Sequence, residues 1–154
     1  MITFTPTSAA VSLTANVEAM LQAFKAEASL RLQIYPGRPA TLVPPSIWQD
    51  VRRDTINFLG SRDTNFMDHV MTVELVALHG LFDSAEAVTQ RDAFVDAFAS
   101  YVRQHRDTGL AGPNSVLRAM RLTDIPNFTP DWVPERDRTT YYATLITMEV
   151  AIED

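Results

Sequence analysis

Three histidines, His69, His79 and His105, are the side chains in this sequence best suited to bind a transition metal. His69 and His79 are ten residues apart in a segment that reads as one strand. At about 3.3 Å per residue, roughly 33 Å would separate them, too far for one ion. His105 lies alone near the end of a predicted helix. The spacing therefore predicts no shared metal ion, and we expect no cofactor.

Nucleophilic and phosphate-binding chemistry also lacks its usual sequence pattern. There is no cysteine, no serine stands in a Gly-x-Ser-x-Gly elbow, and the glycines form no phosphate-cradling cluster. Two aspartate pairs, Asp50 with Asp54 and Asp92 with Asp96, have the four-residue spacing that places a general acid and base on one helix face. A solvated helix face is the simpler interpretation of both pairs. The sequence therefore predicts a protein that is not an enzyme.

The proline-rich stretch from Pro126 to Thr139 is the strongest candidate for binding. Phe128 and Trp132 stand between prolines that restrict the backbone. Two interpretations stay open: the rings fold back over the edge of a sheet, or they form a protein interface, because stiff aromatics lose little entropy on binding. Arg136 and Arg138 follow, and their acidic neighbours favour a salt-bridged surface. These two arginines and two aromatic residues are the candidate interaction residues.

Alternating apolar residues indicate the strands that must position this stretch. Tyr141 to Ile152 predicts a long strand, and Phe66 to His79 predicts a central strand that neighbours it. Ser115 to Ile125 predicts a third strand. A fourth is expected near Arg53 to Leu59, although a short helix around Trp48 fits that region too. The more apolar face of the last strand consists of Tyr142, Thr144, Ile146, Met148, Val150 and Ile152.

Two segments show helical periodicity. Ala9 to Leu32 carries apolar residues at intervals of three and four. The second helix follows Asp83 and Glu86, which have the spacing of a capping box, and is expected to end at a left-handed cap on Gly109. The order is thus α-β-β-α-β-β, which predicts an α+β fold: a four-stranded, mostly antiparallel sheet with two helices packed on one face.

Length and composition limit the class of protein. A chain of 154 residues fits one domain, 1–154, with residues 1–8 as a flexible lead-in. A net charge of −6 argues against a broad basic surface for DNA or RNA. No signal-peptide pattern occurs, and no apolar run approaches the roughly 18 to 20 residues of a membrane helix. We therefore expect a soluble cytosolic protein with no membrane partner.

Taken together, these patterns resemble the tail terminator and neck proteins of long-tailed bacteriophages. The similarity extends from about Leu13 to Glu153 and is one of element order and pattern, because this family has no catalytic signature. The segments that carry it, besides the first helix, are Pro36–Pro39, Leu42–Pro45, Val73–Leu78, Asp92–Phe98 and Tyr141–Ile152.

The resemblance implies a structural role in the virion. Such proteins form a homo-oligomeric ring, usually a hexamer, that caps the tail tube and meets the head connector. The expected partners are therefore other copies, the tail tube protein and the head connector protein, with no recognition of a nucleic-acid sequence. The expected location is the tail or neck of the virion, and the host cytoplasm during assembly. The alternatives are another head–tail adaptor or tail completion protein, a small α+β ligand-binding domain or enzyme, and a cellular partner-binding module.

Overall fold

The computed structural model describes residues 8–61, 64–105 and 115–152, with side chains described for 13–50, 70–105 and 116–151. Within these residues two helices accompany one five-stranded sheet. The elements are α1 (Ser8–Ala28), β1 (Gln33–Tyr35), β2 (Ser46–Ser61), β3 (Thr64–Leu81), α2 (Ala85–His105), β4 (Ser115–Phe128), a 3₁₀ turn (Glu135–Asp137) and β5 (Tyr141–Ile152).

The sheet has the strand order β1-β2-β3-β5-β4. Its last four strands pair antiparallel, and β3 lies beside β5 as predicted. The α+β class and the two helices are confirmed. The sheet differs in detail from the prediction because β1 adds a fifth strand, parallel to β2 over three residue pairs, which makes the sheet mixed. A three-residue strand is too short to show alternation, so the sequence pattern gave no sign of it.

The first helix ends four residues earlier than predicted, at Ala28. Ser29 has a φ of 54°, in the left-handed region, and its N–H donates to the carbonyl of Ala26. The N–H of Leu30 donates to the carbonyl of Lys25. These two bonds form a Schellman cap, usually built on glycine, with serine in its place. The apolar spacing runs on past this cap, so periodicity alone predicts too long a helix.

The strand β2 is longer than expected and replaces the proposed helix around Trp48. It begins at Ser46 rather than near Arg53, and it forms a long hairpin with β3. The ladder shifts register between Gln49 and Arg52, which is the signature of a β-bulge. A bulge interrupts the alternation of side chains between the two faces. Apolar alternation in the sequence therefore does not predict the first half of this strand.

The second helix is capped by the neighbour of the predicted residue. The Ser84 hydroxyl accepts a hydrogen bond of 3.0 Å from the Ala87 N–H, so Ser84, not Asp83, is the N-cap. Just before it, Gly80 lies against the helix, where an added Cβ would be 3.1 Å from the Ala87 Cβ. The predicted cap at Gly109 and residues 1–7 of the predicted lead-in lie outside the described residues, whereas Ser8, the last residue of that lead-in, belongs to α1.

Apolar side chains form a core on each face of the sheet. Of the predicted apolar face of β5, Thr144, Ile146, Met148 and Val150 are buried, Tyr142 is partly exposed, and the side chain of Ile152 lies outside the described residues. Both helices pack on this face, as predicted. On the opposite face a smaller core contains Trp48, Val76, Leu78 and Ala143. The main core includes Leu13, Val17, Leu21, Phe24, Met71, Val73, Leu75, Phe94, Phe98, Ile146, Met148 and Val150.

Candidate functional site

The loop between β4 and β5 folds over the sheet face opposite the helices. Phe128, which the structure places at the end of β4 rather than in the loop, and Trp132 of the loop both meet Trp48, with ring centroids 6.2 and 5.8 Å from its own. The ring centroids of Phe128 and Trp132 are 6.1 Å apart. We call these three residues the aromatic cluster. The structure therefore favours the interpretation in which the rings fold back, although they cover a face rather than an edge. Their contact with a partner stays a prediction.

Hydrogen bonds and a cation–π contact hold the aromatic cluster against the segment between β1 and β2. The Trp132 Nε1 donates to the Pro39 carbonyl at 3.0 Å, and the Arg38 guanidinium lies 4.7 Å from the centroid of the Trp132 ring. Arg38 also donates to both carboxylate oxygens of Asp50, at 2.6 and 3.2 Å, which raises its pKa above the usual value. The Trp48 Nε1 donates to the same carboxylate at 3.3 Å. Asp50 thus links the loop to β2.

The two candidate arginines have different surroundings. The Arg138 guanidinium donates to the carbonyls of Val133 and Asp131, at 2.9 and 3.0 Å, and so fixes the shape of the loop. The Arg136 side chain is 87% exposed, and its Nε lies 3.6 Å from a carboxylate oxygen of Asp137. Arg138 is therefore a structural residue of the loop, whereas Arg136 is displayed to solvent on the 3₁₀ turn.

A shallow groove of about 280 Å³ runs between the loop and the passage before β2. Prolines and aliphatic groups supply its apolar surface, and Thr41, Asp137 and Thr139 supply polar groups. We call it the loop groove. Surfaces that bind other proteins also combine apolar and polar groups. Its lining residues are Ala40, Thr41, Leu42, Pro130, Val133, Pro134, Asp137, Thr139 and Tyr141.

A second cluster of polar residues lies between the sheet and α2. His79 is 4% exposed, and its Nε2 lies 2.8 Å from the hydroxyl of Thr144, which is fully buried. The Thr144 hydroxyl donates to Asp124 at 3.4 Å, so the His79 Nε2 carries a proton and donates. Arg91 binds both oxygens of that aspartate, at 3.1 and 2.8 Å. Burial lowers the pKa of His79 to about 4, so its ring is neutral near pH 7.

This cluster was missed in the sequence, where His79 was considered only as a metal ligand. The clue was Thr144, a hydroxyl on the otherwise apolar face of β5, which requires a buried partner. The order of the contacts differs from a catalytic triad, because the threonine lies between the histidine and Asp124. Its full burial also keeps a substrate away from the hydroxyl. The arrangement joins α2 to β3, β4 and β5.

The aspartate pairs take different places in the structure. Asp50 and Asp54 lie on β2, so the helical arrangement considered for them does not occur. Asp92 and Asp96 do lie on α2, and both are exposed. In the part of the chain that the structure describes, no three His, Cys, Asp or Glu side chains converge on a common point suitable for a metal ion.

Comparisons with known proteins add no family. No protein-family model matches this sequence, and no curated protein matches it. Neither helix described by the structure has the length and apolar character required to cross a membrane. The function must therefore be argued from the geometry of the loop and the sheet.

Proposed function

We propose that this protein is a structural virion component of a long-tailed phage or phage-like particle. Its copies form a ring that terminates the tail tube and joins it to the head connector. The observation that carries the proposal is the fixed β4–β5 loop, which displays Arg136 and the loop groove on the sheet face opposite the helices. The resemblance in element order, from Leu13 to Glu153, is the reason for proposing a tailed particle.

A joint between two assemblies requires a surface that is ordered before its partner arrives. The prolines of the loop restrict its backbone, the aromatic cluster anchors it to the sheet, and Arg138 closes its turn. Such a loop loses little conformational entropy when it docks, so more of the contact energy remains as affinity. The residues that meet the partner are then Arg136 and the lining of the loop groove, while Phe128 and Trp132 anchor the loop to the sheet.

The remainder of the same sheet face is also open to contact. Among the described side chains of β4 and β5, Ala119, Arg121, Thr123 and Glu149 are exposed there, together with Val116, which is 46% exposed. All but Val116 are small or charged, as expected for a surface that is solvated in the free subunit. With both helices on the other face, the subunit offers a helical side and a strand side. A head–tail adaptor or a tail completion protein would use the same two-sided subunit.

The mass of the purified full-length chain tests the proposal. A ring predicts a species several times the 17.2 kDa monomer in native mass spectrometry, either alone or after addition of purified tail tubes. Electron microscopy of the same sample should show closed rings or capped tube ends. A chain that remains monomeric at every concentration, with tubes and without them, would contradict the proposal.

A further inference from the structure

Two edges of the sheet have no strand beside them within the described chain. The strand β4 is the last of the sheet, and no described strand pairs with its outer side. At the other edge, β1 covers β2 only from Ser46 to Trp48, and Arg38 reaches over to Asp50. The outer side of β2 from residue 51 to Ser61 therefore has no strand partner there. Unpaired edges present rows of N–H and C=O groups that a further strand can bind.

The directions of these edge strands are complementary. Successive pairs β2–β3, β3–β5 and β5–β4 are all antiparallel, so β4 runs opposite to β2. When two copies are placed side by side in the same orientation, β4 of one copy meets β2 of the next in antiparallel fashion. Antiparallel strands pair directly, without a crossover or a change in either subunit.

The two free edges also overlap in position along the strand direction. Following the ladder partners across the sheet, Ala119 is level with Arg53, and Ser115 is level with Ile56. Beyond Ile56, β2 and β3 continue as a two-stranded ribbon to the pair Ser61 and Thr64, past the last described pairs of β5 and β4. At equal height, β4 of a neighbouring copy would therefore lie beside the free edge of β2 from residue 51 to Ile56.

We propose that β4 of one copy pairs with the outer edge of β2 in the next copy, so that one sheet continues around the ring. This inference rests on the proposed function, because it names the contact between neighbouring subunits of that ring. The two edges differ, so the interface is heterologous: each copy uses both edges, and the chain of copies ends only by closing. The register shift of β4 between Leu117 and Ala119 restricts pairing at this edge to a strand that matches it.

Edge-blocking variants of the full-length chain test the pairing. On β4, proline replaces Ala119 in one variant and Met120 in another, since these residues are level with Arg53 and Arg52; on β2, Thr55 and Ile56 are replaced in the same way. Adjacent residues point their N–H groups to opposite sides, so one variant of each pair removes only an outward donor and keeps the wild-type melting temperature. That variant is used for assembly. Arg103→Ala, on the exposed side of α2, is the matched control.

The expected result is specific to two unequal edges. Wild type and Arg103→Ala assemble, whereas each edge-blocked variant stays monomeric at tenfold higher concentration. An equimolar mixture of the β4-blocked and β2-blocked variants gives a heterodimer, because each supplies the edge that the other lacks. If a β2-blocked variant dimerises alone, the contact is between two β4 strands, and the inference is wrong. If rings survive both kinds of variant, the ring stands but the edge contact is overturned.

Hydrogen–deuterium exchange of the wild-type chain gives a second measurement that depends on no variant. Outward-facing amides of Ser115–Arg121 and of residues 51–56 should exchange at least tenfold more slowly in the assembled species than in diluted monomer, while α2 exchanges equally in both. Equal exchange at both edges in an assembled ring would overturn the edge pairing and leave the ring intact. A wild-type chain that never assembles would overturn both proposals.

Discussion

The indole nitrogen of Trp132 donates a hydrogen bond of 3.0 Å to the carbonyl oxygen of Pro39. It connects the β4–β5 loop to the passage that precedes β2, two irregular segments that share no ladder. Arg38, next to Pro39, covers the face of the same indole. The Trp132 ring therefore connects the β4–β5 loop to the segment before β2, which no strand pairing joins. The shape of the loop groove depends on this contact.

Replacing Trp132 should separate the two contributions of its ring. Trp132→Phe keeps an aromatic ring beside Trp48 but removes the N–H, so we expect a loss of about 1 kcal/mol in the free energy of unfolding. Trp132→Ala also removes the contacts with Trp48 and Arg38, and we expect about 2 to 3 kcal/mol. Urea denaturation measures both. Equal stability of Trp132→Ala and wild type would mean that the loop does not depend on this ring.

The sequence predicted the elements whose patterns are long and local. The bounds of β5, Tyr141–Ile152, were predicted at both ends, because its alternation is unbroken over twelve residues. The helix ends were predicted wrongly where one residue departs from the conformation or role that its type usually has. Ser29 ends α1 in a conformation that usually requires glycine, and Ser84 caps α2 where its neighbour fitted the motif.

The candidate site could be predicted only in part, for a related reason. The prolines and rings of the loop marked it as a stiff segment, but the partners of those rings are far away in sequence. Trp48 precedes Phe128 by 80 residues and contacts it only because β2 and β4 belong to one sheet. Periodicity describes which face a residue occupies, and it does not say which distant side chain lies opposite. The partners of His79 were missed for the same reason.

Stability should fall in mild acid because of His79. Its pKa is about 4 in the folded protein and near 6.5 when unfolded. Between those values the unfolded chain binds a proton that the folded chain excludes, so this contribution to stability is complete above about pH 6.5 and lost as the pH falls to 4. The full effect is about 3 kcal/mol.

The measurement is the free energy of unfolding of wild type and His79→Gln from pH 8 to pH 4. The variant should lose much of the slope between pH 6.5 and 4, whatever its absolute stability. His105→Gln is the matched control, because that histidine is partly exposed and pairs with Glu27 at the surface. Parallel curves for wild type and His79→Gln would show that His79 does not cause the acid sensitivity.

The capping residue of α2 can be identified by two single substitutions. Ser84→Ala removes the hydroxyl that accepts the Ala87 N–H, and we expect a loss of about 1 kcal/mol. Asp83→Ala changes the residue that the sequence pattern favoured, and we expect an effect within about 0.5 kcal/mol, because Asp83 is exposed. Thermal melting of both variants decides the assignment. A larger loss for Asp83→Ala than for Ser84→Ala would restore the predicted capping box.

The last prediction separates the displayed arginine of the loop from the residues that hold the loop in place. Arg136→Glu reverses a charge on a side chain that is 87% exposed, so the free energy of unfolding should change by less than about 0.5 kcal/mol. If the loop meets a partner as proposed, binding to tail tubes or connectors should weaken about tenfold, or 1.4 kcal/mol. Arg103→Glu, an equal change of charge on α2, is the control that accounts for net charge. Equal binding by the two variants would remove Arg136 from the interface, even if the ring itself forms.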